Sequence, residues 1–162
     1  MNKRLLLWLM LLIGVLIVIL MFTRSNPDKT KPPTDQNLSK VTVLSEGSMS
    51  EVDSYQTLIL DDQDSYQEFL TNNKLVIPNP IDLREHTVIA IFMGYRPTAG
   101  YSVEVVDIKE ENQKMLVTAN LKQPGKNCIN LQVTTNPYQI VSIKKTNLPI
   151  EIVTNVIEYD CP

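Results

Sequence analysis

The sequence predicts an α+β chain, mostly β: an antiparallel sheet or small sandwich with one short helix, behind an N-terminal transmembrane helix. Three observations lead there. An unbroken apolar run, LLLWLMLLIGVLIVILMF, fills Leu5 to Phe22. From Val88 onward, short apolar or alternating segments recur between turn signals about every 8 to 12 residues. Only one stretch, around Tyr66, Phe69 and Leu70, repeats its apolar residues at helical spacing.

The apolar run spans roughly 27 Å as a helix, close to the hydrocarbon thickness of a bilayer. A single helix also satisfies its own backbone polar groups, which lipid requires. Lys3 and Arg4 precede the run and only Arg24 follows closely, so the expected orientation is N-terminus cytoplasmic and residues 24–162 outside. Thr23-Arg24-Ser25 is a poor cleavage site and no cysteine near Phe22 offers a lipidation point. Residues 1–23 therefore read as a single-pass signal anchor in the cell membrane, uncleaved, with removal as a signal peptide the other reading. Residues 24–40, RSNPDKTKPPTDQNLSK, are polar and carry Pro27, Pro32 and Pro33, the composition of an extended tether. Residues 41–162 then make one extracytoplasmic domain, long enough to bury its own core.

Within that domain Gln56 to Leu60 reads as a short strand. Asp64-Ser65-Tyr66-Gln67 has the form of a capping box, with Asp64 accepting from the Gln67 amide, so a helix is expected from Ser65 to about Asn72. Pro78 and Pro80 forbid its continuation. Val88 to Met93 is apolar on both faces and reads as a central, covered strand. Tyr101 to Ile108 follows, with a phase slip at Val105-Val106 that marks a bulge. Met115 to Leu121 alternates strictly, as do Ile129, Leu131 and Val133, and Tyr138–Ile143 and Ile150–Ile157 complete the strands. Turn signals fall at Glu110–Gln113, Gln123–Asn127, Asn136-Pro137 and Thr146–Pro149.

Charge is divided unevenly along the chain, which has 15 Lys/Arg and 18 Asp/Glu. Before residue 41, six basic residues against two acidic give +4; the domain's nine against 16 give −7. A domain this acidic lacks the footprint that phosphate backbones require, which disfavours nucleic acid. The acidity keeps an exported domain soluble or, more sharply, steers a basic partner. Cys128 and Cys161 both lie in the exported part, where an even pair is a disulfide candidate; two buried free thiols are the other reading. Catalytic equipment is thin. His86, the single histidine, stands beside Asp82, Arg84 and Glu85 and reads as a solvated loop residue. No nucleophile elbow, phosphate loop or dinucleotide fingerprint occurs, and no His/Cys spacing suits a metal. The chain is expected to be no enzyme and to need no cofactor.

One segment stands out: Phe92-Met93-Gly94-Tyr95-Arg96-Pro97-Thr98-Ala99-Gly100-Tyr101. Gly94 and Gly100 permit φ > 0 and close backbone approach, while Pro97 stiffens the crossing. Such a loop tightens a hairpin for sheet packing; Tyr and Arg on a rigid loop are also what interface anchors are made of.

The stretch GYRPTAGYSVEVVDI, the turn Gln123-Pro124-Gly125 and the run TTNPYQIV from Thr134 to Val141 resemble the PrcB C-terminal domain family. The segment near Phe69 and the closing Asp160-Cys161 suit it too, so the resemblance covers roughly residues 56–162. The R-P-T-x-G-Y motif is its specific part; Ala99 stands where the family often has a second glycine. The resemblance implies an exported accessory subunit that associates with a protease and has no catalytic residues of its own. The expected reading is thus a membrane-anchored binding module that docks on an exported protease or other surface protein. Its expected contacts are Tyr95, Arg96, Pro97, Thr98 and Tyr138, on a loop shaped by Gly94, Gly100 and Pro137, together with exposed strand edges. The rival expectation is a sensor domain for a cell-envelope or small-molecule ligand.

Overall fold

The computed structural model describes residues 41–161; the expected anchor and tether lie outside the described residues. In order these form β1 (Val41–Gly47), β2 (Gln56–Leu60), α1 (Gln63–Asn72), β3 (His86–Phe92), β4 (Ser102–Glu111), β5 (Lys114–Pro124), β6 (Tyr138–Lys144) and β7 (Ile150–Tyr159). One sheet has the order β1-β6-β3-β2 with antiparallel neighbours throughout. The other has the order β4-β5-β7. The mostly β, two-sheet architecture with one short helix is as the sequence predicts.

Strand β3 explains the layering. Its side chains alternate between faces, and all of Val88 to Phe92 are fully buried. Ile89 and Ile91 join Val141 and Ile143 of β6 and meet Val103, Val105, Val117, Ala119 and Leu121 of the second sheet. Val88, Ala90 and Phe92 face the opposite way, toward Tyr66 and Phe69 of α1. Phe92 lies edge-on to Phe69, at 6.0 Å, and stacks on Tyr138, at 5.8 Å. A strand apolar on both faces is thus the middle of three layers.

Three expectations need correcting, and one strand was not expected. The second sheet is mixed: β4 and β5 form an antiparallel hairpin, but β7 runs parallel to β5. The chain leaves β5, crosses to the first sheet as β6, and returns, so β7 arrives in the direction of β5. Ile129, Leu131 and Val133 are not a strand; the segment is irregular and exposed. Helix α1 starts earlier than expected, at Gln63, and its cap is Asp62, whose carboxylate accepts from Ser65 N–H at 2.9 Å. Asp64 falls in the first turn, where its charge complements the helix dipole. Finally, β1 carries no sequence signal strong enough to have been expected: it is an edge strand, half exposed, with a register shift between Val43 and Ser45.

Other expectations hold. The register of β4 shifts between Val105 and Asp107, where the phase slip falls. The turn after it is two residues, Asn112 and Gln113, both with positive φ, which suits the twist of a tight hairpin. Cys128 and Cys161 are joined, with Cα atoms 5.0 Å apart, which ties the segment after β5 to the end of β7.

Candidate functional site

The two motif segments of the sequence are neighbours in space. Phe92 and Tyr138 pair at the last rung of β3 and β6. Past that rung the chains stay together: Met93 N–H donates to Pro137 O at 2.9 Å. Arg96 and Thr135 then exchange backbone hydrogen bonds of 2.7 and 2.9 Å. Thr135 Oγ1 donates to Thr98 O at 3.0 Å, and Ala99 N–H donates to Leu131 O at 3.1 Å. Residues 93–101 and 131–138 form one interlocked platform at this end of the sandwich.

Both glycines have a positional cause. Gly94 has φ +71°, and a Cβ there would lie 2.6–2.8 Å from the backbone of Asp53, Ser54 and Tyr55. That close passage lets Tyr95 N–H donate to Asp53 O at 3.0 Å. Gly100 has φ +96°, and its carbonyl accepts from the Tyr159 hydroxyl at 2.8 Å, which docks the end of β7.

The expected contact residues divide into two groups. Tyr95 is 54% exposed and Pro97 is exposed as well. Arg96 and Thr98 are half-buried. The Arg96 guanidinium lies over the Tyr101 ring, 5.7 Å from its centroid, and Nη1 donates to Tyr95 O at 3.3 Å. Its Nε is buried without an acceptor among the described residues. Pro137 is fully buried, and the Tyr138 hydroxyl lies 3.0 Å from Ser45 Oγ. Arg96 and Tyr138 therefore brace the platform, while Tyr95 and Pro97 stand out from it.

Two further residues do much of the bracing: Asn136, expected as part of an exposed contact turn, and Gln139, to which no role was assigned. Asn136 Nδ2 donates to Val52 O at 3.2 Å and to Asp53 Oδ1 at 2.6 Å. Its backbone N–H donates to Ser48 O, and its carbonyl accepts from Ser50 Oγ. Gln139, 5% exposed, accepts from Val105 N–H at 2.7 Å and donates to Glu46 Oε2 at 2.7 Å. The bulge in β4 frees that amide, and Gln139 satisfies it from the facing sheet. The sequence marks Asn136 only through the Asn136-Pro137 turn signal, and residues before proline favour extended backbone.

His86 and its charged neighbours lie at the opposite end of β3, roughly 20 Å away by strand rise. Asp82 accepts from Arg84 Nη2 at 2.6 Å and from Arg84 N–H at 2.9 Å, which holds its carboxyl down at about 2. The His86 ring Nδ1 is 3.2 Å from Asp82 O. An open concavity of about 930 Å³ there is lined by residues including Arg84, Glu85, His86, Lys144 and Lys145. Among the described residues no cluster of three or more His, Cys, Asp or Glu is placed to hold a metal.

The family model for PrcB C-terminal matches residues 87–144, so the resemblance carried by the two motifs holds over that stretch. The matched stretch begins in β3 and ends in β6, and so contains the whole interlocked platform and both motif segments. Neither the curated proteins nor the solved structures gave a match.

Proposed function

We propose that the chain is a membrane-anchored, extracytoplasmic binding module that docks on an exported protein, a protease foremost, and supports its stability or assembly. One observation carries the reading most directly. Backbone bonds, two constrained glycines and Asn136 fix a loop from which the side chains of Tyr95 and Pro97 stand out, exposed. Ordering a loop before it meets a partner lowers the entropy lost on binding, which is what an interface needs from its scaffold. The family match adds weight through the family's name and through the stretch it covers. The Leu5–Phe22 run supplies the anchor in this reading.

A photo-crosslinking amino acid at position 97, introduced in living cells, tests it. Adducts with an exported protein support the module. Absence of any adduct, or adducts with cytoplasmic proteins alone, overturns it.

A further inference from the structure

The segment Ile129–Thr134 has the sequence of a strand and the environment of a missing one. Ile129, Leu131 and Val133 alternate with Asn130, Gln132 and Thr134, the period-2 pattern that normally buries one face. Instead the three apolar residues are 102%, 75% and 48% exposed. The amides from Ile129 to Thr134 find no acceptor among the described residues. With no neighbour on that side the segment bends once, at Gln132.

It is nevertheless held at both ends and in the middle. The Cys128–Cys161 bridge fixes its start, the Arg96–Thr135 exchange fixes its end, and Leu131 O accepts from Ala99 N–H. Edges are ordinarily guarded by charge. The long edges β4 and β7 carry Glu104, Glu110 and Glu111, and Glu151 and Glu158, whereas Asn127 to Ile143 contains no charged residue. We propose that Ile129–Thr134, an irregular segment with unpaired amides, receives an extended, positively charged segment of the exported partner as an added strand. This rests on the module reading above and names the surface and chemistry it uses.

Charge selects this occupant. The domain's nine basic and 16 acidic residues give −7, so a second copy would bring −7 against −7, whereas a basic segment is drawn in. The chain's own residues 24–40 are basic, but Leu38 is their single large apolar side chain and Pro27, Pro32 and Pro33 lack the amides a ladder needs. Main-chain bonds would give the affinity, and the exposed side chains of Ile129, Leu131 and Val133 would pack against apolar residues of the added strand.

The test uses the full-length chain in detergent and a short synthetic peptide in which valine and isoleucine alternate with threonine and lysine. The expected result is saturable binding that slows hydrogen exchange of the 129–134 amides by about tenfold or more. Leu131→Asp, at an exposed position, should weaken binding by about tenfold or more while leaving the melting temperature in place. A peptide with glutamate for lysine should bind less tightly by a similar factor. Protection elsewhere, no protection, or equal binding by Leu131→Asp overturns the proposal. So does a dimer of the full-length chain that Leu131→Asp dissolves, which would assign the edge to a second copy. If the position-97 adduct forms equally well in Leu131→Asp, the edge proposal falls and the module reading stands; if no adduct forms at all, the module reading falls.

Discussion

Gln139→Leu is the most informative single change for the fold, because one side chain joins two sheets through a defect in one of them. Leucine roughly matches the volume of glutamine, so no cavity is expected. What is lost is the acceptor for Val105 N–H, a backbone amide freed by the bulge and buried between the sheets. Leaving a buried donor unsatisfied costs about 1–3 kcal/mol. The bond to Glu46 lies toward the surface and adds under about 1 kcal/mol. The sum is about 1–4 kcal/mol, and a domain of this size loses about 3–5 °C of melting temperature per kcal/mol, hence about 3–20 °C. Thermal unfolding followed by circular dichroism reads the shift, and amide exchange at Val105 localises it. If the variant melts within about 2 °C of the parent and Val105 stays protected, the bulge does not depend on Gln139 and the reasoning fails.

Other changes probe separate parts of the argument. Tyr66→Phe removes a hydroxyl that is buried without a partner among the described residues, so the variant should be as stable as the parent or about 1 kcal/mol more stable in urea titration. Burial raises the Tyr66 phenol above its ordinary 10.0, so its contribution is intact below that pH and is lost above it as the unfolded chain ionises; Tyr66→Phe should lessen the alkaline decline. Gly94→Ala meets both positive φ and a backbone wall at 2.6 Å, and should cost about 2 kcal/mol or more by the same melt. Arg96→Ala keeps the backbone exchange with Thr135 but strips the guanidinium from Tyr101; about 1 kcal/mol should be lost, with Tyr101 ring resonances shifting in NMR. In Arg84→Ala the Asp82 carboxyl should titrate back from about 2 toward its ordinary 3.8, measurable by NMR pH titration.

Periodicity made the centre of the fold legible and the edges obscure. Val88 to Met93 is apolar on both faces, and only a covered strand accommodates that, so the middle layer could be read directly. The phase slip at Val105-Val106 likewise reported a bulge, because one extra residue flips the face of everything after it. Strand β1 gave no comparable signal: Val41, Val43 and Ser45 mix with exposed polar residues because an edge strand buries little. Pairing direction was hidden for another reason. Whether β7 runs with or against β5 depends on which sheet β6 joins, and that is decided by packing between segments far apart in sequence. The cap was missed by two positions because Asp62 and Asp64 both offer the same chemistry, and only the backbone turn selects between them.

The candidate site shows where motif reading reaches its limit. Gly94, Arg96, Gly100, Pro137 and Tyr138 attract notice because they gather in two short segments. The demands on them are internal: a backbone passage, a docked ring, a docked strand end, a buried proline and a stacked tyrosine. A side chain already committed in this way contributes little further when a partner arrives, and cutting it away disturbs the fold first. Ile129, Leu131 and Val133 present the reverse case. Their pattern reads as ordinary strand, and only the structure shows that the neighbour such a pattern needs is missing among the described residues. Where an interlocked platform stands beside an apolar ribbon with unpaired amides, the platform fixes position and the ribbon offers the free surface. On that argument, substitutions at Gly94, Arg96 and Gly100 should move stability more than affinity, and substitutions at Leu131 should move affinity more than stability.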